Sequence, residues 1–246
     1  MVKHIVYIVF LVVICSCKKS NERRCFKSFG DDSVKEIAID SVYEFRLYKN
    51  LTYHVYQDTQ RVLKIFGGKN VIDFVDVSYN QADYELAVYN QNSCNFIRDF
   101  DKKIIVEIHY PFYERIYSET NDSLIFMDTI KANKLYIEQA QGGGGVRINV
   151  NTNDIVLIAS GGVGTYKLGG QSNYADLRVQ TGGFGDASAF KANNIQIFQN
   201  STADIKVNLE NAAAAVTIWG TGNVIYKGNP SQLNVYKTGD GNLIQE

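Results

Sequence analysis

The feature that most limits what this chain can fold into is a unit of about 20 residues that recurs through its second half. Each copy opens on a Gly-x-Gly or equivalent corner followed by a short alternating strand: Gly142-Gly143-Gly144-Gly145-Val146, Gly162-Val163-Gly164-Thr165-Tyr166, Gly183-Phe184-Gly185-Asp186-Ala187, Ser201-Thr202-Ala203-Asp204-Ile205, Gly220-Thr221-Gly222-Asn223-Val224 and Gly239-Asp240-Gly241-Asn242-Leu243. The first positions, 142, 162, 183, 201, 220 and 239, are separated by 20, 21, 18, 19 and 19 residues. A degenerate seventh copy opens near Thr120, with Leu124-Ile125-Phe126 in the strand slot. A second strand sits in every unit: Leu135–Ile137, Ile155–Leu157, Leu177–Val179, Ile195–Ile197, Val216–Ile218 and Leu233–Val235. A unit carrying two strands with one apolar face each cannot bury that face alone, whereas units stacked at about 4.8 Å bury a continuous column. The pattern therefore predicts an all-β chain, a right-handed parallel β-helix or β-solenoid with about six Gly-x-Gly rungs. Glycine at the corners admits close approach of one rung to the next, so Gly183→Val is expected to cost more than an exposed substitution.

The first half lacks this rhythm. Val42–Leu47, Val62–Ile65, Tyr84–Val88 and Ile104–Ile108 still read as strands, which places less regular strands over 34–119 as a cap that covers one end of the regular rungs over 120–246, within one domain spanning 34–246. Two prolines against 20 glycines, 16 tyrosines and 13 phenylalanines suit short strands and tight turns, and no amphipathic helix is visible after residue 25. The formal net charge of -1 supplies no electrostatic footprint for nucleic acid.

Residues 1–16 have the order of an export signal: Lys3, an apolar run from Ile5 to Ile14, then small and polar residues. Ten apolar residues span about 15 Å as a helix, half of a bilayer core, which disfavours a retained span. Ile14-Cys15-Ser16-Cys17 resembles a bacterial lipobox, with Cys17 as the lipidated cysteine. Cys15 fits less well because Ile14 is too large for the small-residue slot. The polar stretch Lys18–Arg24 then reads as part of a tether over 17–33. The expected location is the outer membrane, facing the cell surface or the periplasm, with the membrane reached through the lipid. Two cysteines remain, Cys25 and Cys94, and an even count in an exported chain is most simply a disulfide. Two buried thiols are the alternative, and a metal pair is weaker because neither has a ligand at short spacing.

These features converge on a resemblance. The exported cysteine, the Cys25 and Cys94 pair, the segment Asn92-Ser93-Cys94-Asn95-Phe96-Ile97-Arg98-Asp99-Phe100, the glycine rungs, and above all Gly222-Asn223-Val224-Ile225-Tyr226-Lys227-Gly228-Asn229-Pro230 followed by the Gly239–Asn242 turn resemble the "putative auto-transporter adhesin head GIN domain" family. The rung at Ser201 departs from its glycine pattern. The resemblance implies a β-helical, exported, mostly lipid-anchored protein of Bacteroidetes-like bacteria with no established enzymatic activity.

Catalytic signatures are missing from the sequence. No Gly-Lys-[Ser/Thr] follows the glycine corners, and the third glycine of a dinucleotide fingerprint would fall on Lys167 or Ile225. Gly-x-Ser-x-Gly does not occur. Apart from His4 in the signal, the histidines are His54 and His109, neither in a metal or nucleophile arrangement. Asp186 and Asp204 fall in one slot of successive units, the arrangement an acid–base pair or cation site would need, although the same slot holds Thr165, Asn223 and Asn242, as in a solvated polar ladder. Seven tyrosines, Tyr43, Tyr48, Tyr53, Tyr56, Tyr79, Tyr84 and Tyr89, crowd the first half and would serve as an aromatic ladder if exposed, or as ordinary half-buried strand residues. The expectation is a non-enzymatic protein with no cofactor and no metal, which binds a glycan, matrix or protein partner. A periplasmic structural or assembly lipoprotein is the alternative, and a carbohydrate-active β-helix using Asp186 and Asp204 comes third.

Overall fold

A computed structural model of the chain describes residues 28–48, 50–92 and 102–246. Cys17, Cys25 and Cys94, and with them lipidation and the disulfide, lie outside the described residues. Strands dominate: β1 Asp32–Ala38, β2 Glu44–Leu47, β3 Thr52–Tyr56, β4 Val62–Gly68, β5 Val75–Asn80, β6 Glu85–Asn90, β7 Ile105–His109, β8 Arg115–Ser118, β9 Leu124–Gln139, β10 Gly145–Ala159, β11 Thr165–Thr181, β12 Phe184–Ser201, β13 Ile205–Asn208, β14 Ala213–Ile218, β15 Val224–Lys227, β16 Gln232–Lys237 and β17 Leu243–Gln245. Among the described residues the one helical element is a 3-10 turn, Ile72–Phe74.

From β8 to β17 the chain winds through about seven parallel turns, each strand pairing with the one a coil later. The long strands β9 to β12 bend across a corner, so each contributes its first half to one broad face and its second half to the other. Register confirms the degenerate seventh copy, because Leu124 lies beside Val146. The alternation of the sequence becomes stacked inward columns: Leu135, Ile155, Ala175, Ile195 and Ala214 in one, and Ile137, Leu157, Leu177, Ile197 and Val216 in the next. All ten are buried, and burying a large aliphatic side chain contributes about 1.5–3 kcal/mol.

The corners are held by buried polar side chains as well as by glycine. Gln199 Nε2 donates to the carbonyls of Ser201 (2.9 Å) and Ala203 (3.0 Å), and Gln139 Nε2 does the same for Thr120 and Gln141 at 3.1 and 3.2 Å. A Cβ on Gly164 would stand 2.8 Å from Gln139 Cγ, so the glycine makes room for the glutamine. At the glycine-poor Ser201 corner, the hydroxyl donates to the Gly183 carbonyl at 2.7 Å and accepts from the Ala203 amide at 3.1 Å. Gly183 is tight, since a Cβ there would stand 3.1 Å from the Gln180 and Gly164 carbonyl oxygens. The stringent position is Gly170, whose φ is +92° and whose Cβ would run into the Val150 backbone.

The first half does more than cap. β1 and β4 run antiparallel to each other, as do β4 and β7, and β5 and β6, and these pairings close the end of the stack. The strands β2 and β3 form a full coil of the solenoid, but out of chain order: β2 lies between β6 and β8, and β3 between β7 and β9. Two buried phenols pin this arrangement. Tyr53 donates to the Tyr48 carbonyl at 2.9 Å, and Tyr113 donates to the carbonyls of Tyr56 (2.8 Å) and Ile108 (3.0 Å).

Candidate functional site

The carboxylate pair expected from unit spacing does not form. Register places Asp186 between Lys167 and Lys206, whereas Asp204 precedes Ile205, the partner of Gly185. The slip has a packing cause. Gly185 takes the strand slot beside Tyr166, and a Cβ there would stand 2.5 Å from the Tyr166 ring, so the large side chain of one rung occupies the space left by the glycine of the next. Burial alone would raise the Asp186 pKa, but hydrogen bonds from Ser188 and the charges of Lys167 and Lys206 outweigh it and hold the carboxyl below its usual value. The Asp204 carboxylate is engaged by the Asn223 backbone amide (2.7 Å) and side-chain amide (3.1 Å). Asp186 is thus committed to its own turn and Asp204 to the turn that follows it.

His109 ends β7, and its Nδ1 lies 2.7 Å from Asp58 Oδ2 while Nε2 lies 3.5 Å from Glu107 Oε2. Its ring stacks on Tyr56 at 4.6 Å. Burial pushes the Asp58 pKa up, but the bond to His109 and the Gln60 amide outweigh this and leave it lowered. Among the described residues no hydroxyl or thiol bonds to this imidazole, so the pair fastens the β3–β4 connection to β7 without presenting a nucleophile. His54 sits on β3 in register with Glu107 and Ile125, away from any such pair. Among the described residues no group of three or more His, Cys, Asp or Glu could hold a metal ion, and no helix is long and apolar enough to cross a membrane.

The seven tyrosines scatter. Tyr53 is buried, Tyr79 donates to the Ser41 carbonyl, Tyr56 packs on His109, and Tyr43 and Tyr84 are exposed neighbours, the Tyr43 amide donating to the Tyr84 carbonyl at 2.8 Å. Of the seven, Tyr48 and Tyr89 are the pair that stacks ring on ring, at 4.4 Å. They belong to an outward ladder on the face formed by β6, β2, β8 and the second half of β9. In one column Glu85, Glu44, Arg115 and Tyr136 are successive neighbours, and in the next Ala87, Arg46, Tyr117 and Glu138.

In this ladder Arg46 Nε lies 2.9 Å from Glu44 and 2.7 Å from Glu85, and Arg115 Nε lies 2.9 Å from Glu44. These are contact ion pairs rather than aligned hydrogen bonds. Arg46 lies over the Tyr117 ring at 5.1 Å, and Arg115 over Tyr136 at 4.3 Å. Tyr117 donates to Glu119 (2.8 Å) and Tyr136 to Glu138 (2.6 Å), and burial together with these carboxylates pushes both phenols up to about 12. At neutral pH the face therefore offers fixed guanidinium, phenol and carboxylate groups and no activated nucleophile.

Sequence reading missed this ladder because Glu44, Arg115 and Tyr136 become neighbours only through register. It also passed over Asn133, Asn153, Asn173 and Asn193, which recur every 20 residues at one corner and whose last two members bond at 3.0 Å. That signal was a plain period in the sequence.

Solved structures with the same fold include a putative adhesin from Bacteroides fragilis, with TM-score 0.77 and 22% identity over 88% of this chain and 97% of that one. A putative adhesin from Parabacteroides merdae has TM-score 0.58 and 20% identity, covering 89% and 98%. A putative lipid binding protein from Parabacteroides distasonis has TM-score 0.65 and 16% identity, covering 88% and 97%. No curated protein matches the sequence. The family described as "Putative auto-transporter adhesin, head GIN domain" matches residues 44–230, and with the stacked coils and glycine corners already described, this chain belongs to that family.

Proposed function

We propose that the protein is an exported, lipid-anchored β-solenoid that binds an extracellular glycan, matrix or protein partner without catalysing a reaction. Cys17 carries the lipid, the segment 17–33 is the leash, and Cys25 pairs with Cys94. The observation that carries the reading is the outward Arg46–Tyr117–Arg115–Tyr136 ladder. Side chains already held by Glu44, Glu85, Glu119 and Glu138 present recognition groups at little further entropic cost, and no base is paired with a nucleophile. Membership of a family described as adhesin heads supports it.

The test is antibody labelling of the solenoid on intact and on lysed cells, for the wild type and for Cys17→Ala. Labelling of intact wild-type cells that is lost or released to the medium in Cys17→Ala is the expected result. Protection until lysis overturns outward binding and favours the periplasmic assembly role, which the basic Lys18-Lys19 start of the leash would suit.

A further inference from the structure

On the same broad face, toward the other end of the solenoid, one rung is small where its neighbours are large. The outward residues of β14 are Ala213, Ala215 and Thr217. On one side register places Asn194, Gln196 and Phe198 beside them, and on the other Gln232, Asn234 and Tyr236. The two walls are two rungs apart, about 9.6 Å, and the three floor positions extend about 13 Å along the strand. The result is a trough, with a cavity of about 250 Å³ over its alanine end where Tyr174 closes the wall.

We propose that this trough is a binding site for a neutral oligosaccharide lying along β14. Four side-chain amides, Asn194, Gln196, Gln232 and Asn234, stand at its rim, all exposed, and none of these side chains bonds to another group among the described residues. Amides both donate and accept, as sugar hydroxyls do, and the spacing of Asn194 to Gln196 and of Gln232 to Asn234 sets them at two successive positions along the floor. The alanine methyls offer an apolar bed for the C–H face of a ring. Beyond them Phe198, Tyr236 and Trp219 supply an aromatic end, with Trp219 at 52% exposure and 5.0 Å from Phe198.

No charged residue lines the cavity, and Asp176 and Arg178, the register neighbours of Gln196 and Phe198, are bonded to each other. That selects an uncharged ligand over a sulfated or phosphorylated one. Both edges of β14 are already paired, so a peptide could not add as a strand here. The length of the trough suits a short oligosaccharide rather than one ring. The assignment rests on the binding-module reading above and names its ligand class.

Trp219 is the chain's single tryptophan, so its emission reports on this site. The full chain is titrated with cellotetraose, maltotetraose, xylotetraose, mannotetraose and chitotetraose, with a sulfated heparin-derived tetrasaccharide as the charged control. A saturable emission change with at least one neutral sugar and none with the sulfated one is expected. Ala215→Phe, which fills the exposed floor, should weaken that binding at least tenfold with an unchanged circular dichroism spectrum, and Gln196→Ala with Asn234→Ala should weaken it about fivefold. Silence across the neutral panel, equal binding of the sulfated control, or indifference to Ala215→Phe would each overturn the assignment. Sugar binding by a protein protected in intact cells would leave the trough standing and remove outward display, whereas surface labelling without sugar binding would do the reverse.

Discussion

The coils from β8 to β17 and the strands before them build the same kind of apolar core, yet they are assembled on different length scales. In the regular half a residue meets its neighbour about 20 positions on, as Val146 meets Tyr166 and Ile205 meets Val224. In the first half Leu47 meets Ser118 and Tyr53 meets Leu124, each 71 residues away. Closing the longer loops costs more chain entropy before any contact repays it, so the first half depends on strong individual anchors where the second depends on repetition. The difference teaches that a solenoid need not be wound in chain order: β2 and β3 take an internal place because β6, β7, β8 and β9 close around them.

The largest effect should come from breaking the repetition. Gly170→Val forces a β-branched side chain into a positive-φ position against the Val150 backbone and should cost upward of about 3 kcal/mol, measured by urea denaturation, or prevent folding. Gly183→Val, where the closest contacts of a Cβ are 3.1 Å rather than a backbone clash, should cost clearly less, and the reverse order would refute the corner geometry described above.

Next is Leu47→Ala, which empties a fully buried site between β6 and β8 and should cost about 2–5 kcal/mol. If the out-of-order coil is the weak point, amide exchange in this variant should rise first in β2, β3, β6 and β7 and last in β12 to β14. Uniform acceleration would instead mean that the two halves open as one unit.

Tyr113→Phe keeps the ring and removes the hydroxyl that joins Tyr56 to Ile108, so each carbonyl loses one donor, although that of Tyr56 keeps the Tyr110 amide. A loss of about 1–2 kcal/mol is expected from the same denaturation measurement.

The smallest effect is the pH-dependent one. The folded-state pKa of Asp186 is lowered, so its contribution is present above the ordinary carboxylate value of about 3.9 and is lost as pH falls through the folded value. Asp186→Asn should therefore cost about 1 kcal/mol near neutral pH. The two unfolding midpoints should converge in acid, and a gap that persists or widens below the folded value would contradict the Lys167 and Lys206 environment.

The regular half was legible because period and contact coincide. Glycine corners and alternating apolar residues at intervals near 20 specify both the strand and its neighbour, and even the degenerate copy at Leu124 fell into place. The site was much less legible. Asp186 and Asp204 looked equivalent by counting, but Tyr166 packing into the space at Gly185 decided which residues face each other. The run Ala212-Ala213-Ala214-Ala215 is visible in the sequence, but its walls, Gln196 and Asn234, come from rungs 19 residues away on either side and exist only through register.

By itself the sequence determined the architecture and the stacking period, since both are written in short-range pattern and need only the energetics of burial and turn formation. Tertiary structure alone decided the place of β2 and β3 and the composition of the outward ladder. Both depend on pairings between segments with no common period, chosen by which buried side chains and phenol hydroxyls the closed stack can accommodate.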